Sequence, residues 1–305
     1  MKKSLIALAV LSAAGSASAA EIYAMDGMTL DFSGEAEVQI IQPQASGSDL
    51  SVNTETATLT ADFNYEIAEE MAAGGHYEID GAGGDATISD MYVYLEMSPS
   101  LTMSVGRQST SYDDAGIGGE YAFGFSTYVD NIVTSGDQIV KYAYDGGEVF
   151  YGDVAYLMNK NSVSGDYQVD GKLGARLGDF DYTLFLAKSE TATLTADSYT
   201  LEARYALGNF IIAGTYGATS AEQSNAADHD LSIVGLAASF DDGGRWTYAA
   251  GWANVDDDAE TDKVNDVYVN ASYWITDNVN AYAEVGFSDA DDQDTGYVVG
   301  MDVSF

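Results

Sequence analysis

The sequence predicts an all-β fold, a 16-stranded antiparallel transmembrane β-barrel with an inward-folded third extracellular loop. Three observations predict it. Sixteen runs, each of about 10 residues, alternate apolar and polar side chains; tight turns alternate with wider loops between them; and amphipathic helical spacing is weak throughout. An even number of such runs with alternating connections is typical of an outer-membrane barrel. A large secreted β-sandwich or solenoid is the alternative architecture.

The first 19 residues have the pattern of a secretory signal peptide. Lys2 and Lys3 precede an apolar run, and small residues then lead to the Ala17-Ser18-Ala19 cleavage pattern. We expect cleavage after Ala19 and one barrel domain over 20–305. A membrane anchor is the alternative, but the apolar run is too short to span a bilayer as a helix.

Composition narrows the function classes. The chain has 32 Gly, 22 Tyr, only 2 Pro and no Cys, which favours strands and tight turns without disulfides. Its 11 Lys and Arg face 49 Asp and Glu, for a net charge of −38. This balance excludes nucleic acid as a partner bound through a basic face, and it predicts a surface or cavity that concentrates cations.

The alternation is clearest in the first run, which has Leu30, Phe32, Ala36, Val38 and Ile40 on one face and Asp31, Ser33, Glu35, Glu37 and Gln39 on the other. The other runs lie near 58–67, 73–80, 86–97, 101–108, 138–144, 149–157, 167–177, 180–188, 198–207, 210–219, 231–240, 246–255, 266–274, 279–287 and 295–305. In the last run, Tyr297 and Phe305 share the apolar face. An aromatic C-terminal residue in that phase resembles the signal that outer-membrane barrels present to their assembly machinery.

The regular spacing of the runs is interrupted once, between the fifth and sixth runs. The segment 109–137 lacks alternation, and loops of this length are usually functional or disordered. It keeps four aromatic residues, which favours a packed loop, and it carries three carboxylates. The aromatic residues are Tyr112, Tyr121, Phe123 and Phe125, and the carboxylates are Asp113, Asp114 and Glu120.

Three segments resemble the general trimeric porins of Gram-negative bacteria. AEIYAMDGMTLDFSGEAEV resembles their first strand, LTMSVGRQSTSYDDAGIGGEYAFG resembles their fifth strand and constriction loop, and KYAYDGGEVFYGDVAYLMNKN is similar to the segment that follows. The resemblance implies a homotrimer of water-filled channels for ions and small hydrophilic solutes, in which the third loop narrows the lumen. It also implies contact with outer-membrane lipid and lipopolysaccharide.

In this family, loop carboxylates face basic residues on the barrel wall. By resemblance, Asp113, Asp114 and Glu120 are the carboxylates, although EYAFG lacks the proline of the family's Pro-Glu-Phe-Gly sequence. Arg107 and Lys141 match wall positions of the family. Strand phase independently places three more bases inward, namely Lys172, Arg176 and Arg204.

The Arg107 side chain points into the barrel only if one of two conditions is met. It has the same strand parity as Met103 and Val105, so an inward arginine requires either a bulge or an outward face formed by Thr102, Ser104 and Gly106.

The charge and the loop together predict a cation-preferring passive channel, because carboxylates in a narrow passage raise the local cation concentration. A substrate-specific sugar channel is the alternative, although no aromatic ladder is evident. A barrel enzyme built around Asp228-His229-Asp230 and an adhesin are weaker alternatives. We therefore predict no catalytic residues.

Two acidic clusters are candidate Ca²⁺ or Mg²⁺ sites, 256–258 and the run Asp289, Asp291, Asp292 and Asp294. Neither has the EF-hand spacing. Solvated loop faces are the favoured interpretation, and divalent bridges to lipopolysaccharide phosphate are the alternative. We predict no cofactor and no dedicated metal site.

Overall fold

The computed structural model describes residues 20–124, 132–147, 149–159, 163, 165–224, 227–259 and 263–305. The predicted signal peptide, 1–19, and Phe125 of the predicted loop lie outside these ranges. Within them, no helix is long and apolar enough to cross a membrane.

Over the described residues, seventeen strands form one antiparallel sheet. They are β1 (Ala20–Met25), β2 (Met28–Gln42), β3 (Ser51–Ala68), β4 (Met71–Asp80), β5 (Thr87–Ser98), β6 (Leu101–Ser109), β7 (Ser135–Asp145), β8 (Phe150–Met158), β9 (Tyr167–Leu177), β10 (Phe180–Glu190), β11 (Leu194–Leu207), β12 (Phe210–Gln223), β13 (His229–Asp241), β14 (Trp246–Asp257), β15 (Val264–Thr276), β16 (Val279–Ser288) and β17 (Gly296–Ser304).

Sixteen of these strands close into a ring, which confirms the predicted barrel. Each strand from β2 to β17 pairs with the next, and β17 pairs back onto β2. Phe305 secures the closure, because its N–H donates to the Gly34 carbonyl at 3.0 Å and its carbonyl accepts from the Gly34 N–H at 3.3 Å. Every strand of the sixteen-strand ring therefore has a neighbour on both sides, as hydrocarbon requires.

The seventeenth strand, β1, was not predicted as a separate element. It pairs with the beginning of β2, where Ala20 lies opposite Phe32. From Glu35 onward, the same edge of β2 pairs with β17. β1 therefore extends the line of β17 and does not add a strand to the ring.

The two faces of the wall differ in chemistry. In β12, Phe210 and Ile212 are 47% and 49% exposed, whereas Ile211 and Ala213 between and beyond them are buried. In β11, the buried side chains that alternate with exposed apolar ones are polar. Because a membrane barrel presents its apolar face to lipid, we assign the exposed apolar face to the outside.

The strand ends fix the limits of the long connection. β6 ends at Ser109 and β7 begins at Ser135, so the third long loop covers 110–134, slightly less than the predicted 109–137. Its described part, 110–124 and 132–134, is called the L3 segment below. Tyr297 and Phe305 are exposed, and their proposed role in assembly stays a prediction.

Candidate pore constriction

Both ends of the L3 segment are held by side chains of β9. Asp170 accepts the backbone N–H groups of Ser111 at 2.6 Å and of Tyr112 at 3.2 Å. Gln168 bonds Val133 in both directions, donating to its carbonyl at 2.7 Å and accepting its N–H at 3.0 Å. Asp170 and Gln168 are buried, so these bonds are shielded from water and fix where the loop leaves and rejoins the wall.

Tyr112 is the buried apolar contact of the first turn of the L3 segment. Its ring packs against Phe185 of β10, and its hydroxyl lies 2.9 Å from Ser198 Oγ and 2.8 Å from Thr200 Oγ1 of β11. Burial raises the pKa of the Tyr112 phenol above its ordinary value. The phenol therefore stays protonated and serves both hydroxyls as a neutral partner.

A second wall carboxylate holds the middle of the L3 segment. Glu202 of β11 is fully buried and accepts the Gly116 N–H at 2.6 Å. Arg204 lies 2.8 Å from Glu202 and donates to the Gly116 carbonyl. One peptide position is therefore held by an acid and a base together.

The tip of the L3 segment is held by Glu284 of β16. This buried carboxylate accepts three consecutive backbone N–H groups, those of Tyr121 at 2.8 Å, Ala122 at 2.8 Å and Phe123 at 2.6 Å. Asn270 donates a fourth bond to it at 2.8 Å. Bonds from N–H groups to an ionised carboxylate are stronger than neutral ones, so Glu284 is the strongest single anchor of the loop.

Aromatic side chains of the tip pack onto the wall around this anchor. Phe123 lies against Gly286 and Gly296, where a Cβ atom on either glycine would collide with its ring. Tyr121 stacks on Tyr282 with ring centroids 3.8 Å apart and planes 3° apart. The absence of side chains at the two glycines is what lets the tip approach the sheet so closely.

The three predicted loop carboxylates differ in their surroundings. Asp113 is exposed. Asp114 pairs with Lys172, which also lies 3.1 Å from Asp153. Glu120 bonds the Tyr268 hydroxyl, which in turn accepts the Gly119 N–H at 2.8 Å. Asp113 and Asp114 are both exposed, and among the described residues only Asp114 of these two forms an ion pair.

Three of the five predicted wall bases contact the L3 segment. Lys172 pairs with Asp114, Arg204 bonds Gly116, and Lys141 donates to the Thr110 carbonyl at 3.3 Å. The charges of Lys172 and Arg204 are therefore compensated by neighbouring carboxylates, those of Asp114 and Glu202. These bases hold the loop in place.

The other two predicted wall bases do not contact the L3 segment. Arg107 lies directly opposite Met91, which is 51% exposed, so it belongs to the outer apolar face, and it pairs with Asp137 at 2.5 Å. The bulge that an inward arginine would require is present, but the extra residue lies on β7. Arg176 pairs with Asp145 at 2.9 Å, at the tight-turn end of β7.

Strands β2 to β5 present a different surface. Their inward positions carry Glu35, Glu37, Asp62, Glu78 and Asp90, which we call the acidic wall; each alternates with exposed apolar or small side chains. No Lys or Arg occurs between Met28 and Ser98.

The sequence of this barrel is similar to those of known outer-membrane proteins. A model of the Gram-negative porin family matches residues 5–293. Porin-like protein H of Photobacterium profundum is 32% identical over 330 residues, and the alignment covers 100% of both chains. The chain belongs to the Gram-negative porin family. Porins are outer-membrane channels and not enzymes.

Two solved porin-like structures have the same fold as this porin. A trimer form of OmpT, an outer membrane protein of Vibrio cholerae, has a TM-score of 0.80 at 18% identity, covering 92% of this chain and 100% of that one. An anion-selective porin from Comamonas acidovorans has a TM-score of 0.79 at 17% identity, covering 91% and 100%. At these identities the likeness shows the fold alone.

Sequence reasoning missed the three wall acids that hold the porin's loop, namely Asp170, Glu202 and Glu284. One signal was available, because a carboxylate flanked by apolar residues in a strand must find donors when it is buried. The identity of those donors, the backbone of a loop distant in sequence, is not encoded in local spacing.

Proposed function

We propose that this porin is a water-filled, cation-preferring channel for passive diffusion of ions and small hydrophilic solutes. The L3 segment narrows the lumen against the acidic wall. Permeating ions then pass between carboxylates on both sides, because Lys172 and Arg204 beside the loop are engaged with loop or wall acids.

The observation that carries this proposal is the charge of the acidic wall. Its five carboxylates lie on one inward surface, and no Lys or Arg occurs between Met28 and Ser98. Fixed charges at the narrow section of a pore set its selectivity, and low-dielectric walls focus their field. A cation entering this section is stabilised electrostatically, and an anion is destabilised.

The shared fold does not decide selectivity, since one similar structure is an anion-selective porin. The sign must come from the side chains that line the pore. Here the inward-facing bases of the described strands lie between β7 and β11 and have bonds to neighbouring groups. The acidic wall is on the other side of the ring.

Assembly and export are part of the same proposal. A solved relative in fold is described as a trimer, which supports a homotrimer for this chain. Removal of residues 1–19 would release the barrel domain, and Tyr297 and Phe305 would be recognised by the assembly machinery. Outer-membrane lipid and lipopolysaccharide would surround the exposed apolar face.

The experiment is a planar-bilayer recording of the folded protein under a KCl gradient. We expect stepwise conductance in groups of three and a reversal potential of the sign that K⁺ permeation gives. Conductance with a Cl⁻-favouring potential would refute the selectivity, and absence of any conductance would refute the channel.

A further inference from the structure

A cluster of nitrogen and oxygen donors lies at the mouth of the barrel, apart from the L3 segment. His229 is the first residue of β13, Asp257 is the last residue of β14, and Asp258 follows it. One donor atom from each lies within 4.8 Å of the other two. We infer that these three side chains form a binding site for a Zn²⁺-like first-row dication.

The distances suit a small metal ion. His229 Nε2 lies 2.5 Å from Asp257 Oδ1 and 3.8 Å from Asp258 Oδ1. A tetrahedral ion with ligand bonds near 2.0 Å separates its donors by about 3.3 Å. The two observed spacings lie on either side of that value, so binding requires the Asp257 carboxylate to move about 0.8 Å away from the imidazole nitrogen and the Asp258 carboxylate to move about 0.5 Å toward it. Water would occupy the fourth position.

The donors are oriented by neighbouring backbone groups. Asp258 Oδ1 accepts the Asp230 N–H at 2.9 Å, and Asp257 Oδ1 accepts the Ala259 N–H at 2.8 Å. His229 is held by strand pairing opposite Ala221. Ligands fixed in this way lose little freedom on binding, which is the usual arrangement around metal sites.

The site faces the entrance of the pore. Asp257 lies opposite Leu231 and His229 lies opposite Ala221, and both of these partners are buried on the inner face. The side chains of His229 and Asp257 are only 20% and 27% exposed. A cation that enters from the long-loop end, where the L3 segment begins, therefore passes the site.

The imidazole changes the metal preference expected for the acidic cluster 256–258, two of whose carboxylates belong to this site. Ca²⁺ and Mg²⁺ take oxygen ligands only, and Ca²⁺ takes six to eight of them. An imidazole nitrogen with two carboxylates suits Zn²⁺, Co²⁺ and related ions. We therefore expect Zn²⁺ to bind in preference to Ca²⁺ and Mg²⁺.

The test is Co²⁺ and Zn²⁺ titration of the folded, detergent-solubilised protein. Co²⁺ should give a saturable visible absorption band at one ion per chain, and Zn²⁺ should displace it while excess Ca²⁺ or Mg²⁺ does not. This arm needs no substitution. The absence of a saturable band, or displacement by Ca²⁺ at concentrations comparable to Zn²⁺, would overturn the inference.

Three variants locate the site. His229→Gln and Asp257→Asn should each weaken Zn²⁺ binding at least tenfold. Asp256→Asn is the matched control, because it removes the same charge one residue away from Asp257. The Asp256 side chain is not part of the site and pairs with Lys263 at 2.5 Å. Equal weakening by Asp256→Asn and Asp257→Asn would mean diffuse attraction of cations and no site. Unchanged binding in folded His229→Gln would have the same meaning.

Discussion

The two sides of the barrel use carboxylates in opposite ways. On the side that holds the L3 segment, Asp170, Glu202 and Glu284 are buried and accept backbone N–H groups of the loop. On the acidic wall, carboxylates such as Asp62 and Asp90 lie on strands that carry no Lys or Arg. The same residue type is structural on one side and, in the proposed channel, sets the field of the pore on the other.

This difference shows that net charge alone is a poor guide to selectivity. A buried acid whose oxygens accept N–H groups has part of its charge offset by the positive ends of those dipoles, which reduces its field in the lumen. Lys172 and Arg204 are likewise engaged with acids. In the proposed channel, the charge that acts on permeating ions is therefore concentrated on the acidic wall.

The largest effect is expected from removing the anchor of the loop tip. Glu284→Ala leaves the N–H groups of Tyr121, Ala122 and Phe123 without their acceptor, and each buried unpaired donor costs about 1 to 3 kcal/mol. We expect the free energy of unfolding to fall by about 3 kcal/mol or more. Single-channel conductance should rise because the tip is released.

Glu69→Ala is the control for that variant, because it removes the same charge from an exposed position in the tight turn between β3 and β4. It should leave conductance close to that of the parent. If Glu284→Ala and Glu69→Ala had equal conductance and equal unfolding free energy, Glu284 would not anchor the loop.

The second effect is on selectivity. Neutralising three carboxylates of the acidic wall by Asp62→Asn, Glu78→Gln and Asp90→Asn should lower the K⁺ to Cl⁻ permeability ratio. Each charge changes the energy of an ion roughly 8 Å away in water by about 0.5 kcal/mol, with opposite sign for K⁺ and Cl⁻, so three lower the ratio by roughly a hundredfold before salt screening. Reversal potentials in a KCl gradient measure it.

A matched triple variant removes the same charge from the tight turns, by Glu69→Gln, Asp179→Asn and Asp277→Asn. These turns lie at the end of the barrel opposite the L3 segment, so the permeability ratio should change much less. Equal effects of the two triple variants would show that total charge, and not the acidic wall, sets selectivity.

The smallest effect is expected from releasing one base of the loop-bearing side. Lys172→Met leaves Asp114 and Asp153 without their shared partner. Cation preference should rise modestly, and the free energy of unfolding should fall by about 1 to 3 kcal/mol because Asp153 is buried.

Lys188→Met tests whether burial matters for that effect. Lys188 and Asp197 are both exposed and 3.5 Å apart, and exposed pairs contribute less than about 1 kcal/mol. An equal loss of stability in the two lysine variants would contradict the account of Lys172.

The barrel could be predicted because its strands repeat a local pattern. Alternation located all sixteen ring strands, and the predicted run 167–177 coincides with β9. The runs near 58–67 and 198–207 were too short, since β3 begins at Ser51 and β11 at Leu194. Polar residues at the long-loop ends hide the alternation there, although the backbone pairing continues.

The site could be predicted only in part. The position of the loop and its carboxylates followed from sequence, and so did the inward direction of Lys172 and Arg204. The partners did not, because Glu284 and Phe123 are 161 residues apart. Strand parity left the direction of the Arg107 side chain conditional on a bulge. Only the strand register, which places Arg107 opposite the exposed Met91, shows that it faces outward.

The central claim, that the acidic wall makes this porin prefer cations, is tested most directly by the reversal potential of the unsubstituted protein at low and high KCl. At a fixed concentration ratio, we predict a K⁺-favouring potential near 0.1 M that weakens toward 1 M, where the screening length falls to about 3 Å. A potential that favours Cl⁻, or that is zero at low salt, would contradict the account.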